Sequence, residues 1–140
     1  MFRLATANDW EAVYRLVCAL EETHFPAERF REIFLRQVES PLYACCLWEE
    51  NGTVAAMLNL RMDEQLHHCD RVAEILEFAV DPACRGGGVG HQLLGYALAF
   101  CREAGCCLAE LSCGMRRKDA HRFYAREGFA DTHRRFTMGL

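Results

Sequence analysis

The sequence predicts an α/β fold in which four helices flank a mixed central β-sheet of about six strands. First, apolar residues alternate in the early segments and recur every three to four residues from Val89 onward, which gives the order β-α-α-β-β-β-α-β-α-β. Second, the pair Asn51-Gly52 favours positive φ and predicts a hairpin. Third, the helix that begins near Gly90 predicts a crossover between parallel strands.

The elements are placed by their apolar spacing and their end signals. Asn8-Asp9 can cap the first helix, and Ser40-Pro41 ends the second, in which Phe30, Ile33 and Phe34 are predicted to face inward. The predicted segments are strands over Phe2 to Ala7, Leu42 to Trp48, Thr53 to Leu60, Glu74 to Val80, Cys107 to Ser112 and Thr132 to Met138, a polar loop around Asp63 to His68, and helices over Trp10 to Leu20, Pro26 to Gln37, Val89 to Ala104 and Asp119 to Glu127.

Composition limits the class of protein. A chain of 140 residues suffices for one core, so a single domain over residues 1–140 is expected. The absence of a leader pattern and of a long apolar run favours a cytoplasmic protein with no membrane partner. Nine cysteines without a CxxC pair predict small buried hydrophobic side chains in a reducing compartment. Nucleic-acid binding is disfavoured because the net charge is −4 and no aromatic residues interleave with the basic run after Met115.

A glycine-rich loop follows the apolar run Ile75 to Val80. Its sequence, Arg85-Gly86-Gly87-Gly88-Val89-Gly90, opens a helix, and such a loop collects phosphates because unsatisfied N–H groups and the positive helix end converge there. A dinucleotide fingerprint would need glycine where His91 stands, and a Walker loop would need Gly-Lys-Ser/Thr at its end. Both of these assignments fail.

What remains, Arg-x-x-Gly-x-Gly after a strand, resembles the acetyl-CoA loop of the GNAT N-acetyltransferase superfamily. A second segment, Ala120 to Phe129, resembles that superfamily's late helix, Ala-x-x-Phe-Tyr-x-x-x-Gly-Phe. The resemblance implies acetyl-CoA as co-substrate, held by the residues Arg85 to Gly90. It also implies that the backbone of Phe78-Ala79-Val80 pairs with the pantetheine, in a gap between two splayed central strands.

Acyl transfer to a primary amine needs a base, because the ammonium form dominates at neutral pH. Glu74 and Glu77 are three residues apart, so a regular strand would send them to opposite faces and only one would readily reach the substrate. Glu77 is favoured because it directly precedes Phe78-Ala79-Val80. Either glutamate could instead be a solvated residue or an ion-pair partner.

The departing thiolate needs a proton, and a positioned phenol can supply it. Tyr124 is the candidate because it matches the Phe-Tyr position of the superfamily, although a tyrosine on an amphipathic helix often only packs. Arg117 stands where the superfamily commonly has asparagine, so that cofactor contact is in doubt. Cys113 has no visible partner base and is not expected to act as a nucleophile.

A narrower resemblance involves Leu66-His67-His68, Glu110-Leu111-Ser112, Arg116 to Tyr124 and Arg135-Phe136-Thr137, which look like segments of aminoalkylphosphonate N-acetyltransferases. Guanidinium groups suit phosphonate oxygens, so Arg116, Arg117 and Lys118 could hold the substrate, the 3′-phosphate of the cofactor, or nothing. The resemblance also implies help from a divalent metal ion. His67 and His68 with Glu77 could hold one, or the histidines could be a surface pair without a ligand.

The sequence therefore predicts an N-acetyltransferase that moves acetyl from acetyl-CoA to a small-molecule amine by direct transfer in a ternary complex, with aminoalkylphosphonates as leading acceptors. Another acceptor, such as a polyamine, an amino acid or a protein N-terminus, is a second possibility. A non-catalytic acyl-CoA-binding sensor is a third. The sequence leaves open whether the chain is a monomer or a homodimer.

Overall fold

The computed structural model describes all 140 residues, which divide into two compact units, Met1–Glu110 and Leu111–Leu140. The strands are β1 (Phe2–Leu4), β2 (Tyr43–Glu50), β3 (Thr53–Gln65), β4 (Asp70–Val80) and β5 (Leu108–Leu111), the helices are α1 (Trp10–Glu21), α2 (Ala27–Glu39), α3 (Val89–Glu103) and α4 (Lys118–Arg126), and 3-10 turns cover Ala7–Asp9 and Pro82–Cys84. No helix has the length and apolar character needed to cross a bilayer.

The five strands form one sheet in the order β1-β2-β3-β4-β5. The first three pairings are antiparallel, and α3 connects β4 to β5 by the predicted crossover, so the sheet is mixed. The predicted α/β fold with four helices is confirmed, but the sheet has five strands instead of six. The hairpin is also confirmed, with positive φ of 51° at Asn51 and 75° at Gly52.

The missing sixth strand is the one predicted over Thr132 to Met138. Residues 129–140 have no regular secondary structure, and Phe136 and Met138 are 91% and 85% exposed. Alternating side chains make a strand only where a neighbouring strand accepts the backbone hydrogen bonds and one face is buried. Neither condition holds for this segment, so that prediction is wrong.

Half of the polar loop predicted around Asp63 to His68 is strand. β3 continues to Gln65 and β4 starts at Asp70, with Asp63 opposite Val72 and only residues 66–69 forming the turn. Asp63, Glu64 and Asp70 are exposed, so solvent accommodates the polar side chains at these strand ends. The prediction is wrong for Asp63 to Gln65, because strand pairing depends on backbone hydrogen bonds and can continue through polar residues.

One apolar core lies between α1, α2 and the sheet, and it positions the face on which the candidate site is built. Its buried members are Val13, Leu16, Val17, Phe34, Leu47, Val54, Met57 and Ala79. Phe30 packs against this core as predicted, whereas Ile33 is 38% exposed because the apolar stripe of α2 is centred on Phe30 and Phe34.

All nine cysteines are free thiols. Cys18, Cys46 and Cys101 are buried, in line with the prediction of small hydrophobic side chains. Cys69 and Cys107 are exposed, so the prediction of burial is wrong for these two residues.

Candidate active site

A β-bulge in β4 decides where Glu74 and Glu77 point. Asn59 lies opposite Glu77, the next residue of β3 lies opposite Ile75, and Arg61 lies opposite Glu74, so Leu76 is an extra residue in β4. Asn59 and Arg61 are two apart on β3 and share a face, and their partners Glu77 and Glu74 therefore share that face too. The prediction of opposite faces is wrong, because it assumed a strand without the bulge.

Glu77 is held in place from β3. The Asn59 side chain is buried at 7% exposure, and its Nδ2 donates to Glu77 Oε2 at 2.9 Å and to Gln37 Oε1 at 2.9 Å. Burial raises the pKa of Glu77, the hydrogen bond from Asn59 opposes this shift, and the nearby carboxylates of Glu21 and Glu74 add to it. A carboxylate with a raised pKa is a stronger base, which is the property that proton abstraction from an ammonium group requires.

Glu74 is engaged as an ion-pair partner, which was one of the alternatives that the sequence left open. Its Oε2 accepts a hydrogen bond from Arg61 Nη2 at 2.7 Å. The pair stands beside Glu77 and Asn59 on the same sheet face, so four polar side chains from β3 and β4 are grouped there.

The glycine-rich loop begins where β4 ends. Gly86 and Gly88 have φ of 84° and 79°, which favours glycine, and a Cβ at Gly86 would meet nothing within 4 Å. The first hydrogen bond of α3 runs from Gln92 N–H to the Gly88 carbonyl at 3.0 Å. This is the start of a helix, where backbone N–H groups lack a carbonyl one turn earlier, and such a position favours an anion.

Asp81 anchors this loop to the rest of the first unit. Its Oδ1 accepts from Ala83 N at 3.0 Å, and its Oδ2 accepts from Arg15 Nη1. Arg15 Nη2 also donates to the Val54 carbonyl at 3.0 Å, so α1, β3 and the loop are joined. Arg85 folds back toward β4, with Nε 3.4 Å from the Val80 carbonyl.

In the second unit, the end of α4 explains the spacing of the Phe-Tyr-x-x-x-Gly-Phe motif. Phe129 N–H donates to the Tyr124 carbonyl at 2.9 Å and Gly128 N–H to the Ala125 carbonyl at 3.1 Å, while Gly128 has φ of 93°. These two bonds define a Schellman cap, which brings Phe129, the last residue of the motif, against Tyr124. The rings of Tyr124 and Phe129 are 5.7 Å apart, centroid to centroid.

Tyr124 is protonated at neutral pH. Burial raises its pKa to about 12, with a further contribution from Cys113, whereas Arg117 lowers it. Burial likewise raises the pKa of Cys113, which disfavours a nucleophilic thiolate there. Arg116, Arg117 and Lys118 are exposed at the start of α4, and of these three only Arg117 acts on Tyr124.

The residues predicted to hold a metal do not converge. His67 and His68 lie in the turn between β3 and β4, with ring centroids 4.2 Å apart and His68 Nε2 3.8 Å from Glu110 Oε2. Glu77 lies seven residues beyond Asp70 along β4, a distance of about 23 Å. No group of three or more His, Cys, Asp or Glu side chains is arranged to hold a metal ion, so these residues do not fit such a site.

A cavity of about 250 Å³ in the first unit contains none of the predicted site residues. Its lining residues come from β1 to β4 and from the ends of α2 and α3 and are Leu4, Ala5, Val38, Pro41, Tyr43, Ala44, Cys45, Met62, Arg71, Phe100 and Ala104.

The side chains that sequence reasoning missed are Asn59, Gln37, Arg61, Arg15 and Asp81. Asn59 left one signal, because it is the only polar residue in the apolar run from Val54 to Leu60 and a polar residue in a buried strand needs partners. The others gave none, since their contacts join residues far apart in the chain.

Known proteins of similar sequence are N-acetyltransferases. The model of the acetyltransferase (GNAT) family matches residues 10–129. The chain is 41% identical over 138 residues to the aminoalkylphosphonate N-acetyltransferase of Salmonella typhimurium, covering 99% of this chain and 90% of that protein. It is 29% identical over 124 residues to an N-acetyltransferase of Bacillus subtilis, covering 89% and 86% of the two chains.

Solved structures agree in fold. A transcriptional regulator from Bacillus halodurans superposes with a TM-score of 0.91 at 23% identity, covering 100% of this chain and 99% of that one. An aminoglycoside acetyltransferase from an uncultured soil metagenomic sample gives a TM-score of 0.87 at 18% identity, covering 100% and 95%. Taken with the family match and the Salmonella relative, the chain belongs to the acetyltransferase (GNAT) family and is an N-acetyltransferase.

Proposed function

We propose that the chain transfers acetyl from acetyl-CoA directly to the primary amine of an aminoalkylphosphonate, with both substrates bound in one ternary complex and residues 1–140 acting as one cytoplasmic domain. The observation that carries this proposal is the setting of Glu77. It is a buried carboxylate with a raised pKa, it is held by Asn59, and it lies on the strand that leads into the glycine-rich loop.

The loop residues Arg85, Gly86, Gly87, Gly88, Val89 and Gly90 bind the pyrophosphate in this proposal. Their open surface, the positive φ at two glycines and the N-terminus of α3 support that role. The backbone of Phe78-Ala79-Val80 binds the pantetheine and polarises the thioester carbonyl. In support, the segment that leads into β5 is hydrogen-bonded to the start of β4, from Cys107 N–H to the Arg71 carbonyl. This bond lies at the opposite end of β4 from Phe78-Ala79-Val80.

Two side chains move protons. Glu77 accepts a proton from the ammonium group, the neutral amine forms a bond to the thioester carbonyl carbon, and the carbon–sulfur bond breaks. Tyr124 donates its phenolic proton to the departing thiolate. The extra proton that the nitrogen carries after the attack is released to solvent, and the Tyr124 phenolate regains a proton from solvent. Support for each role comes from its own surroundings: burial raises the pKa of Glu77 and makes it basic, and burial keeps Tyr124 protonated.

The acceptor class is supported by the name of the Salmonella relative, which acts on aminoalkylphosphonates. Other small amines and a non-catalytic acyl-CoA sensor are the alternatives that the test must separate. Exposed Cys69 and Cys107 would react with a thiol dye, so turnover is best measured as N-acetylated product by mass spectrometry.

The experiment incubates the full chain with acetyl-CoA and a panel of 1-aminoalkylphosphonates, 2-aminoethylphosphonate, a polyamine and amino acids, with and without a divalent cation. The expected result is a higher kcat/KM for the phosphonates than for any other acceptor. Turnover of another amine alone would overturn the acceptor class. Coenzyme A binding without acetylation of any amine would show a sensor, and no coenzyme A binding would overturn the proposal.

A further inference from the structure

Arg61 lies on the same sheet face as Glu77 and is diagonal to it across the β3–β4 ladder. Diagonal neighbours across an antiparallel strand pair are about 7 to 8 Å apart. The amine and the phosphonate oxygens of an aminoalkylphosphonate are roughly 3 to 5 Å apart, as bond lengths near 1.5 Å dictate. With a hydrogen bond at each end, such a molecule can place its amine at Glu77 and its phosphonate at Arg61.

The guanidinium of Arg61 has donors to spare. Its Nη2 binds Glu74 Oε2 at 2.7 Å, and no other hydrogen bond from this side chain is made within the protein. The Arg61 side chain is 42% exposed, so its remaining N–H groups are open to an incoming anion. A planar guanidinium can give two parallel hydrogen bonds to phosphonate oxygens while keeping a third to a carboxylate.

We propose that Arg61 recognises the anionic group of the acceptor and that Glu74 neutralises Arg61 until the acceptor binds. This inference rests on the proposed function, and it names a specificity residue that the sequence did not indicate. The sequence favoured Arg116, Arg117 or Lys118 for this task. Arg61 is the stronger candidate because the backbone register of one ladder fixes its distance from Glu77, and a site on a strand is held more precisely than one on an exposed helix start.

The pair Arg61–Glu74 could also be only structural, and the two roles predict different results. If the pair is structural, Arg61→Gln and Glu74→Gln each break the same contact and change the kinetics in the same direction. If Arg61 binds the anion, the variants act in opposite directions, because Glu74 competes with the acceptor for the guanidinium and repels its charge.

The test measures KM and kcat at saturating acetyl-CoA for 2-aminoethylphosphonate and for propylamine, an amine of similar length without the anion. We expect Arg61→Gln to raise the phosphonate KM by about 10- to 100-fold, with unchanged KM for propylamine and acetyl-CoA. Arg61→Lys should recover part of the loss. Glu74→Gln should lower the phosphonate KM. Arg29→Gln, which removes an exposed ion pair with Glu32 on α2, is the matched control and should change nothing.

The inference is overturned if Arg61→Gln leaves the phosphonate KM within twofold of wild type, or if it and Glu74→Gln weaken both acceptors alike. These outcomes are distinct from failure of the proposed function. That failure would appear in the wild-type chain as no acetylation of any phosphonate. Thermal melting of each variant confirms that the comparison is made between folded proteins.

Discussion

Asn59 joins the candidate base to α2, because one amide nitrogen lies 2.9 Å from Glu77 Oε2 and 2.9 Å from Gln37 Oε1. A buried amide with two fixed acceptors has little freedom to rotate, so the carboxylate that it holds is fixed as well. Burial raises the pKa of Glu77, and this hydrogen bond limits the rise, so Asn59 sets the pH at which the base becomes active.

Glu77→Gln should lower kcat by about 10²- to 10⁴-fold, because the amide cannot accept the ammonium proton. Its KM for acetyl-CoA should stay close to wild type. Steady-state kinetics from pH 5 to 9 provide the measurement, and the acidic limb of the wild-type profile should disappear. Glu64→Gln, an exposed change on β3, is the control. A near-normal kcat at every pH would contradict the assigned role.

The same variant should alter how stability depends on pH. The folded pKa of Glu77 is raised, so the stability associated with its protonated form is present below the ordinary pKa of 4.5 and is lost as pH rises through the raised value. The free energy of unfolding, measured with urea, should therefore fall less between pH 4 and pH 8 in Glu77→Gln than in wild type. An equal loss in both proteins would mean that Glu77 ionises freely in the folded chain.

Asn59→Ala should move the acidic limb of the kcat profile to higher pH while leaving the alkaline plateau largely intact. The hydrogen bond from Asn59 lowers the pKa of Glu77, so removing it lets burial act unopposed. Gln37→Ala leaves that bond in place and serves as the matched comparison, with a smaller shift. If both variants only lose stability and keep the wild-type profile, Asn59 does not tune the base.

The parts of the site that could be predicted from sequence are those coded by contiguous residues. The loop from Arg85 to Gly90 and the cap that joins Tyr124 to Phe129 each depend on glycines at fixed spacing, and local backbone geometry follows from such spacing. The contiguous loop was therefore placed correctly at the end of a strand and the start of a helix.

The parts that could not be predicted depend on pairing between strands or on long-range contacts. The bulge at Leu76 has no local sequence signature, yet it places Glu74 on the same sheet face as Glu77 and opposite Arg61. The ion pair of Arg15 with Asp81 joins residues 66 apart. Register and tertiary contact are set by which faces become buried together, and a single sequence does not state this.

Tyr124→Phe should lower kcat by about 10²-fold without creating or moving an alkaline limb below pH 10. The pKa of Tyr124 is raised to about 12, so the phenol stays protonated throughout that range and its proton is lost only at higher pH. The ring contact with Phe129 is kept, so thermal stability should change little. Tyr96→Phe, an exposed ring, is the control. Unchanged turnover would reduce Tyr124 to a packing role.

Asp9→Asn should destabilise the first unit by about 2 kcal/mol at neutral pH. Asp9 accepts hydrogen bonds from Arg3 at 2.8 and 2.9 Å, which lower its pKa to about 2. The stability it contributes is present above its ordinary pKa of 3.8 and is lost as pH falls toward 2. The free energies of unfolding of wild type and Asp9→Asn, measured with urea, should become equal at low pH. Glu32→Gln, in an exposed pair, should have almost no effect.

Gly86→Ala should weaken coenzyme A binding more than it weakens folding. Gly86 and Gly52 both have positive φ, 84° and 75°, and a Cβ at either meets nothing within 4 Å, so each change to alanine costs about 1 kcal/mol of backbone strain. Only Gly86 lies in the loop proposed to face the pyrophosphate. Calorimetry should therefore show a rise in Kd of about tenfold for Gly86→Ala and none for Gly52→Ala, with similar losses of thermal stability. Equal Kd values in the two variants would mean that this loop does not hold the cofactor, because strain is matched and only proximity to the ligand differs.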